Sequence, residues 1–485
     1  MSAPVLWGVI PLGVALSLLV LRRWERQVTW VGAILMLVLA GLVWFIPVNE
    51  AVRFGPWSFR LNEVLDVFGR RFVVADADRG VFALIYGLAG LWFLGALAAR
   101  PGKLFVPLGM ICVILWVGAL SVEPFLYAAL FLEIAVVVSV PFLRPPGGEA
   151  GPGVLRFLAF QTLGLPFILF TGWMLGQVSP ELTAPAQLVL PATLVGFGFA
   201  LLMAVFPFHT WLPMLAEEAH PYAAAFIFFM LPIVVALFGL GFLNEFPWLR
   251  NAPPVYALLS GVGFLMTVTG GVWAAFDFSA RRRSFRPKPR HLARIMGFAT
   301  VVATGISLLA ISLGNAAGLE LFFGLLIPRA LIFLLWAIAL SLLQKQAGTL
   351  DFLQMQGVGR KLPAITVALT LAQFSMAGFP LLAGFPVRVL LLGQLAESNM
   401  LGAIGIMFGN LGLLVAAVRT LAVLVMTPTH SASPALVATI SPETIGQRLW
   451  LVGGVILLFL LGLFPQWLAP IIARLPLGFP ALLSK

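Results

Sequence analysis

Long apolar runs, separated by short polar or basic stretches, set the pattern of this chain. A helix needs about 20 apolar residues to cross roughly 30 Å of hydrocarbon. Fourteen runs approach that length: Val5–Leu21, Val28–Ile46, Val81–Ala98, Leu104–Ser121, Phe125–Leu143, Leu155–Leu175, Leu188–Phe206, Tyr222–Leu243, Val255–Phe276, Ile295–Leu313, Leu319–Leu343, Pro363–Leu395, Met400–Met426 and Leu451–Ala473. The twelfth is too long for one straight span and contains its own break. The pattern predicts an all-α, polytopic membrane protein of about 14 transmembrane helices. Between the second and third runs, Asn49–Arg79 mixes charge with apolar residues and reads as an outer loop with short amphipathic structure.

Composition agrees. Of 485 residues, 61% are hydrophobic and 10% charged, with mean hydropathy +1.06, whereas soluble domains carry about 25% charge. A soluble multidomain protein is excluded. The one cysteine, Cys112, lies mid-run, so the chain cannot form an internal disulfide or a cysteine-held cluster. The first run reads as a retained span and not as a cleaved signal.

The net charge of +11 sets topology and does not point to nucleic acid. Arg22, Arg23 and Arg26 follow the first run, and Arg100 and Lys103 the third. Arg144 and Arg156 flank the loop after the fifth. The heaviest cluster, Arg281, Arg282, Arg283, Arg286, Lys288, Arg290 and Arg294, follows the ninth, and Lys345, Arg360 and Lys361 the eleventh. With basic loops inside, both termini lie on the outer side. The cluster at 281–294 is an orientation signal or, alternatively, a docking site for an acidic partner.

Two segments interrupt helices with proline. Phe206–Pro213 reads FPFHTWLP and precedes a run containing Pro232; Ala377–Arg388 reads AGFPLLAGFPVR. Proline removes a backbone donor and breaks helix continuity. Paired interruptions in two halves point to inverted repeats with an ion path between them. The organisation read from this is a three-span region 1–103 with an outer loop 47–80, and a first five-helix repeat 104–243 with a break near 232. A second repeat, 254–397, breaks at 378–388, and C-terminal spans fill 398–485.

FPFHTWLPMLAEEAH resembles the joint of the antiporter-like membrane subunits of complex I, the NADH:quinone oxidoreductases, whose consensus runs close to PFHxWLPDAHxEAP. Arg360–Leu392 resembles that family's second broken helix, and GLLIPRALIFLLWA at Gly324–Ala337 its preceding charged span. LLGLFPQWL near the C-terminus is also similar. The resemblance covers roughly residues 100–470 and leans toward the subunit-M-like branch, with relatives in energy-converting hydrogenases and Mrp-type sodium/proton antiporters. It implies proton translocation through buried ionisable groups and partnership with other membrane-arm subunits, a peripheral redox arm and lipids. The setting it implies is a prokaryotic plasma membrane. The chain has no phosphate loop, metal-ligand spacing or nucleophile beside a base, so no cofactor is expected in it. NADH or another donor, quinone and iron–sulfur clusters belong to partner subunits.

Carried over residue by residue, the family's relay is incomplete. Glu133 matches the family glutamate; it could instead be a neutral carboxyl that fixes helix packing. Its lysine partner falls at Pro232 or Ile233, an earlier lysine at Leu202, and the central histidine or lysine near Ala303, where nothing titrates. Arg329 stands for the central-span lysine and Arg388 for the second-break lysine. All five lysines, Lys103, Lys288, Lys345, Lys361 and Lys485, lie at span ends, in loops or at the terminus. Charge at mid-membrane costs about 2.5–3.5 kcal/mol on insertion scales, and arginine stays protonated where lysine can exchange. Arg329 and Arg388 therefore hold a counter-ion, orient water or pin a broken helix end. His209 can switch charge or satisfy backbone freed by Pro207 and Pro213. Glu218 matches the family's later glutamate; Glu217, Glu218 and His220 otherwise read as a wetted loop. Glu320, Gln373, Asn410 and Arg419 are weaker polar candidates, Arg419 as a snorkelling side chain. Three functions remain open: a proton-conducting subunit with an altered path, a non-pumping structural homologue, and an Mrp-type antiporter subunit.

Overall fold

A computed structural model of the chain describes residues 2–54, 57–67, 69–145, 148–176, 185–276, 291–427 and 440–484. Of the expected orientation cluster, Arg281, Arg282, Arg283, Arg286, Lys288 and Arg290 lie outside the described residues, as does Lys485. The N-terminal helices are α1 (Ile10–Val20), α2 (Glu25–Phe45), α3 (Arg79–Ala99) and α4 (Phe105–Ser121). Next come α5 (Ala128–Leu143), α6 (Pro152–Gly176), α7 (Pro185–Leu202), the short α8 (Trp211–Glu218) and α9 (Pro221–Glu245). One turn, α10 (Pro247–Arg250), leads to α11 (Pro253–Phe276), α12 (Arg294–Ile311) and α13 (Ala316–Ala347). Then come α14 (Pro363–Met376), α15 (Phe385–Ser398), α16 (Met400–Val425) and α17 (Ile445–Leu463), followed by two single turns, α18 (Ala469–Ile472) and α19 (Pro480–Leu483).

Among the described residues ten helices are long and apolar enough to cross a membrane: α2, α3, α5, α6, α9, α11, α12, α13, α16 and α17. Four further apolar helices are shorter: Val5–Val20, α4, Leu188–Leu202 and α14. Several start on proline at their first position, α9, α11 and α14 among them, where its missing N–H would have had no partner anyway. The long run 363–395 folds as two helices, α14 and α15, joined by 377–384.

One expectation is sharpened and one corrected. The short structure expected in the loop 47–80 is mostly β. It holds antiparallel hairpins, β1 (Ala51–Phe54) with β2 (Trp57–Arg60), and β3 (Val64–Val67) with β4 (Arg70–Val73), and β4 also pairs with β5 (Val122–Glu123). These four-residue strands are too short for their period-2 alternation to stand out in sequence. Second, the break expected near 232 is absent, because α9 runs unbroken through Pro232. Its side chains are buried nearly all round, and neighbouring protein can tolerate one missing backbone bond in a spanning helix.

The core is aromatic around α9. Phe226 meets Trp92, Phe93, Phe105 and Trp116 at ring distances of 5.4–5.9 Å, and the buried Tyr222 hydroxyl donates to the Trp92 carbonyl. Glycine lets α11 approach two neighbours. A Cβ on Gly263 would stand 2.8 Å from the Gly305 carbonyl of α12, and one on Gly271 would stand 2.7 Å from the Gly409 Cα of α16. Small residues are what permit such close crossings where no solvent drives helices together.

Helix ends explain where many charges went. The last carbonyls of a helix have no partner within it, and lipid offers none. Arginines from elsewhere supply donors. Arg79 reaches the Val43 and Trp44 carbonyls of α2 at 2.9 and 2.6 Å. Arg250 reaches Asn244 of α9 at 2.6 Å, and Arg360 reaches Val425 of α16 at 2.8 Å. Arg419, expected to snorkel, donates to the Ala275 carbonyl at the end of α11 at 2.6 Å and stacks over Phe352. A guanidinium also complements the negative end of the helix dipole.

Candidate functional site

The first interruption falls at the FPFHTWLP joint, between α7 and α8, and not near Pro232. Ala204 adopts a left-handed φ of 53° and the Phe206–Pro207 bond is cis. A left-handed residue other than glycine costs about 1–2 kcal/mol, so surrounding packing must hold this bend. His209 sits in the single turn Phe208–Thr210, buried, its ring stacked on Trp273 of α11 at 4.3 Å and 13°. Its Nδ1 has no partner among the described residues. Gln161 of α6 donates to the Leu202 carbonyl at 3.2 Å, closing the end of α7.

The acidic residues after this bend do structural work that a wetted loop would not. Glu218 accepts the Gly153 N–H at 2.7 Å at the start of α6, a negative charge at the positive end of a helix. Gly151 and Gly153 leave room for it: a Cβ on Gly153 would stand 2.7 Å from the Glu218 carboxylate. Glu217 bridges to Arg294 at 3.1 Å, joining α8 to α12. The His220 ring nitrogen Nδ1 accepts the Tyr222 N–H at 3.3 Å and caps α9, which requires that nitrogen unprotonated.

His209 and His220 both precede α9, outside the spanning helices, and burial pulls both imidazoles down to about 4. Unfolded, each would titrate near 6.5. Between these values the unfolded chain takes up protons that the fold refuses, so stability falls as pH drops from about 6.5 toward 4. The thermal midpoint of the purified protein is expected to decline across that window. His220→Asn, which keeps a capping acceptor, is expected to flatten part of the slope. A wild-type slope retained in His220→Asn removes His220 from this account.

Glu133 lies about a third of the way along α5, half-buried, and accepts the Thr162 hydroxyl of α6 at 2.6 Å. The second interruption, 377–384, also holds a strained residue, Leu381 at φ 70°, near Gly378, whose φ of 75° glycine adopts without cost. Arg388, on α15 just beyond it, is 5% exposed. It donates to the Met376 carbonyl, the last of α14, and to Asn410 Oδ1 of α16 at 2.9 Å. Arg329, next to Pro328 within α13, is 8% exposed and donates to Ser307 of α12 at 2.8 Å. Ser307 continues a buried stripe with Thr300 and Thr304 along α12. This stripe carries hydroxyls where the sequence has nothing that titrates.

The structure therefore brings Arg329 and Arg388 into one buried layer and sets His209 and Glu218 around the first bend. No hydrogen bond or ion pair joins Glu133, His209, Arg329 and Arg388 to one another among the described residues. Sequence reasoning missed Glu443, whose side chain is fully buried. It accepts the Ile365 N–H at 2.8 Å, at the start of α14, and Arg448 Nε at 3.3 Å. No local signal marks it, because its acceptor role is 78 residues away.

Residues 170–414 match the family described as NADH:quinone oxidoreductase/Mrp antiporter, TM. The chain is 27% identical over 333 residues to NADH-quinone oxidoreductase subunit 13 of Thermus thermophilus, covering 64% of this chain and 66% of that protein. It is 23% identical over 410 residues to NADH-quinone oxidoreductase subunit N of Desulforudis audaxviator, covering 79% and 78%. The chain spans about half to two thirds of the length of the first curated relatives it matches. Among solved structures, a chain of the Mrp complex from Dietzia sp. superposes with TM-score 0.78 at 16% identity, covering 99% of this chain and 98% of that one. A chain of respiratory complex I from Thermus thermophilus gives 0.70 at 19%, covering 96% and 99%. At these identities the structural likeness shows a shared fold.

Proposed function

The chain belongs to the NADH:quinone oxidoreductase/Mrp antiporter transmembrane family, and on that premise we propose that it is an antiporter-like membrane-arm subunit of a complex-I-like assembly. It takes part in proton translocation driven by electron transfer in partner subunits. Those partners are other membrane-arm subunits and a peripheral redox arm, which hold any flavin-, quinone- or cluster-based chemistry. The observation that carries this reading is that the matched segment, 170–414, contains both interrupted regions together with His209, Arg329 and Arg388.

The finer reading is fourteen spans, with inverted five-helix repeats at 104–243 and 254–397 and both termini outside. The strained bends near 204 and 381 support it as equivalent points of the two halves. In this reading the setting is a prokaryotic plasma membrane. Glu133 is the protonatable group, and His209 and Glu218 lie along the route. Arg329 and Arg388 act as fixed charges, since arginine does not exchange its proton.

One observation favours a second reading, a structural homologue that does not pump: the buried arginines donate to neutral hydroxyl, amide and carbonyl acceptors and to no carboxylate among the described residues. Copurification with hydrophilic redox subunits tests membership of the assembly. In that assembly, reconstituted into vesicles, Glu133→Gln is expected to cut proton translocation several-fold with subunit composition unchanged. Full translocation in the variant would remove Glu133 from the path and leave the structural role.

A further inference from the structure

We propose that the layer between α13, α14 and α15 binds a small monovalent inorganic anion of the chloride class, held by the guanidiniums of Arg329 and Arg388 and the amide of Gln373. Helix packing puts the three groups in one layer. Val387 lies over Gly324, five residues before Arg329, and Gly384 lies against Ile332, three residues after it. Met376, one turn beyond Gln373 on the inner face of α14, touches Arg388 with both its carbonyl and its sulfur.

The charge in this layer is one-sided. Neither arginine has a carboxylate within 4 Å among the described residues; the acceptors are Ser307, Asn410 and the Met376 carbonyl, all neutral. Buried charges are paired as a rule. Donors remain to do so. Arg388 Nε and the amide nitrogen of Gln373 have no partner, and Gln373 is 2% exposed. Asn410, which accepts Arg388 through its oxygen, keeps its own amide N–H groups as donors.

The occupant has to be small, since exposures of 8% and 5% for the two arginines admit no side chain from outside. A single negative charge suffices, because the carbonyl end of α14 already contributes about half a charge of the same sign. A divalent oxyanion would shed far more hydration for the same donors.

The test uses the full chain, purified alone or in its assembly, at constant pH and ionic strength. Chloride is titrated against gluconate, and bromide and nitrate stand in for chloride. The thermal midpoint of wild type is expected to rise by about 2–4 °C with saturating chloride, bromide or nitrate. Arg329→Met and Gln373→Leu are expected to weaken half-saturation tenfold or more. Ser307→Asp places a carboxylate beside Arg329. It is expected to abolish the halide response while keeping the midpoint in gluconate at or above that of wild type in chloride. Ser307→Asp decides the matter even where loss of an arginine prevents folding. A wild type indifferent to the anion, or a halide response intact in Ser307→Asp, overturns the proposal. Neither result bears on whether the chain belongs to a redox assembly.

Discussion

Gly412→Leu is expected to prevent accumulation of folded protein. A Cβ at 412 would stand 2.6 Å from the Cα of Gly271 and closer still to its carbonyl. The obstacle is backbone, which cannot rotate away as a side chain can. Overpacking a core by a methylene or two costs about 1–3 kcal/mol, and leucine adds four carbons into a helix–helix contact with no slack. Relief requires α16 to leave α11, which would also unseat Gly409 from Gly271 and Arg419 from the end of α11. Size-exclusion profile and thermal midpoint in detergent give the readout. Gly453→Leu on α17 is the control: a Cβ there meets nothing within 4 Å, and its midpoint is expected to match wild type. A monodisperse Gly412→Leu with a wild-type midpoint would mean the α11–α16 crossing is looser than this geometry.

Glu443→Leu is expected to destabilise the chain by roughly 2–4 kcal/mol. The carboxylate is fully buried, accepts the Ile365 N–H and meets Arg448, itself about half exposed. Substitution leaves a helix-start donor and a cation without their partner. Burying the charge has a cost that leucine removes, so the net falls below the sum of the broken bonds. Glu443→Gln, which keeps an acceptor without the charge, is expected to fall between the two. Equal midpoints for Glu443→Leu and wild type would show that the carboxylate is incidental.

These charges also show what one sequence can and cannot reveal. Spans were legible because lipid forces backbone bonds inside each helix and leaves a run of apolar residues as the trace. The break in 363–395 was legible because Pro380, Pro386 and their glycines lie within the run. Pro232 misled, since a single proline inside a fully packed helix removes one bond without ending it. The hairpins at 51–73 were hidden by strands of four residues. Most of all, the tasks of the arginines were hidden. Arg419 finds its carbonyl 144 residues away, Arg360 65 and Arg79 36. Sequence displays a donor; the acceptor is set by packing. For the same reason Arg329 and Arg388 could be named as buried cations, yet Ser307, Asn410 and Glu443 could not be attached to them or to α14.

Helix α13 has 32 residues, about 48 Å at 1.5 Å per residue, against a hydrocarbon slab of about 30 Å. Lying wholly within the slab, it would have to lean by about 50°. Its flanks are covered by protein along most of that length, so the surplus is absorbed by neighbouring helices and not by lipid. Bilayer thickness therefore acts on this protein through its outward-facing helices, such as α2, α11 and α17. The rod that carries Arg329 is insulated from it, and membranes of different thickness should leave the depth of that charge nearly unchanged.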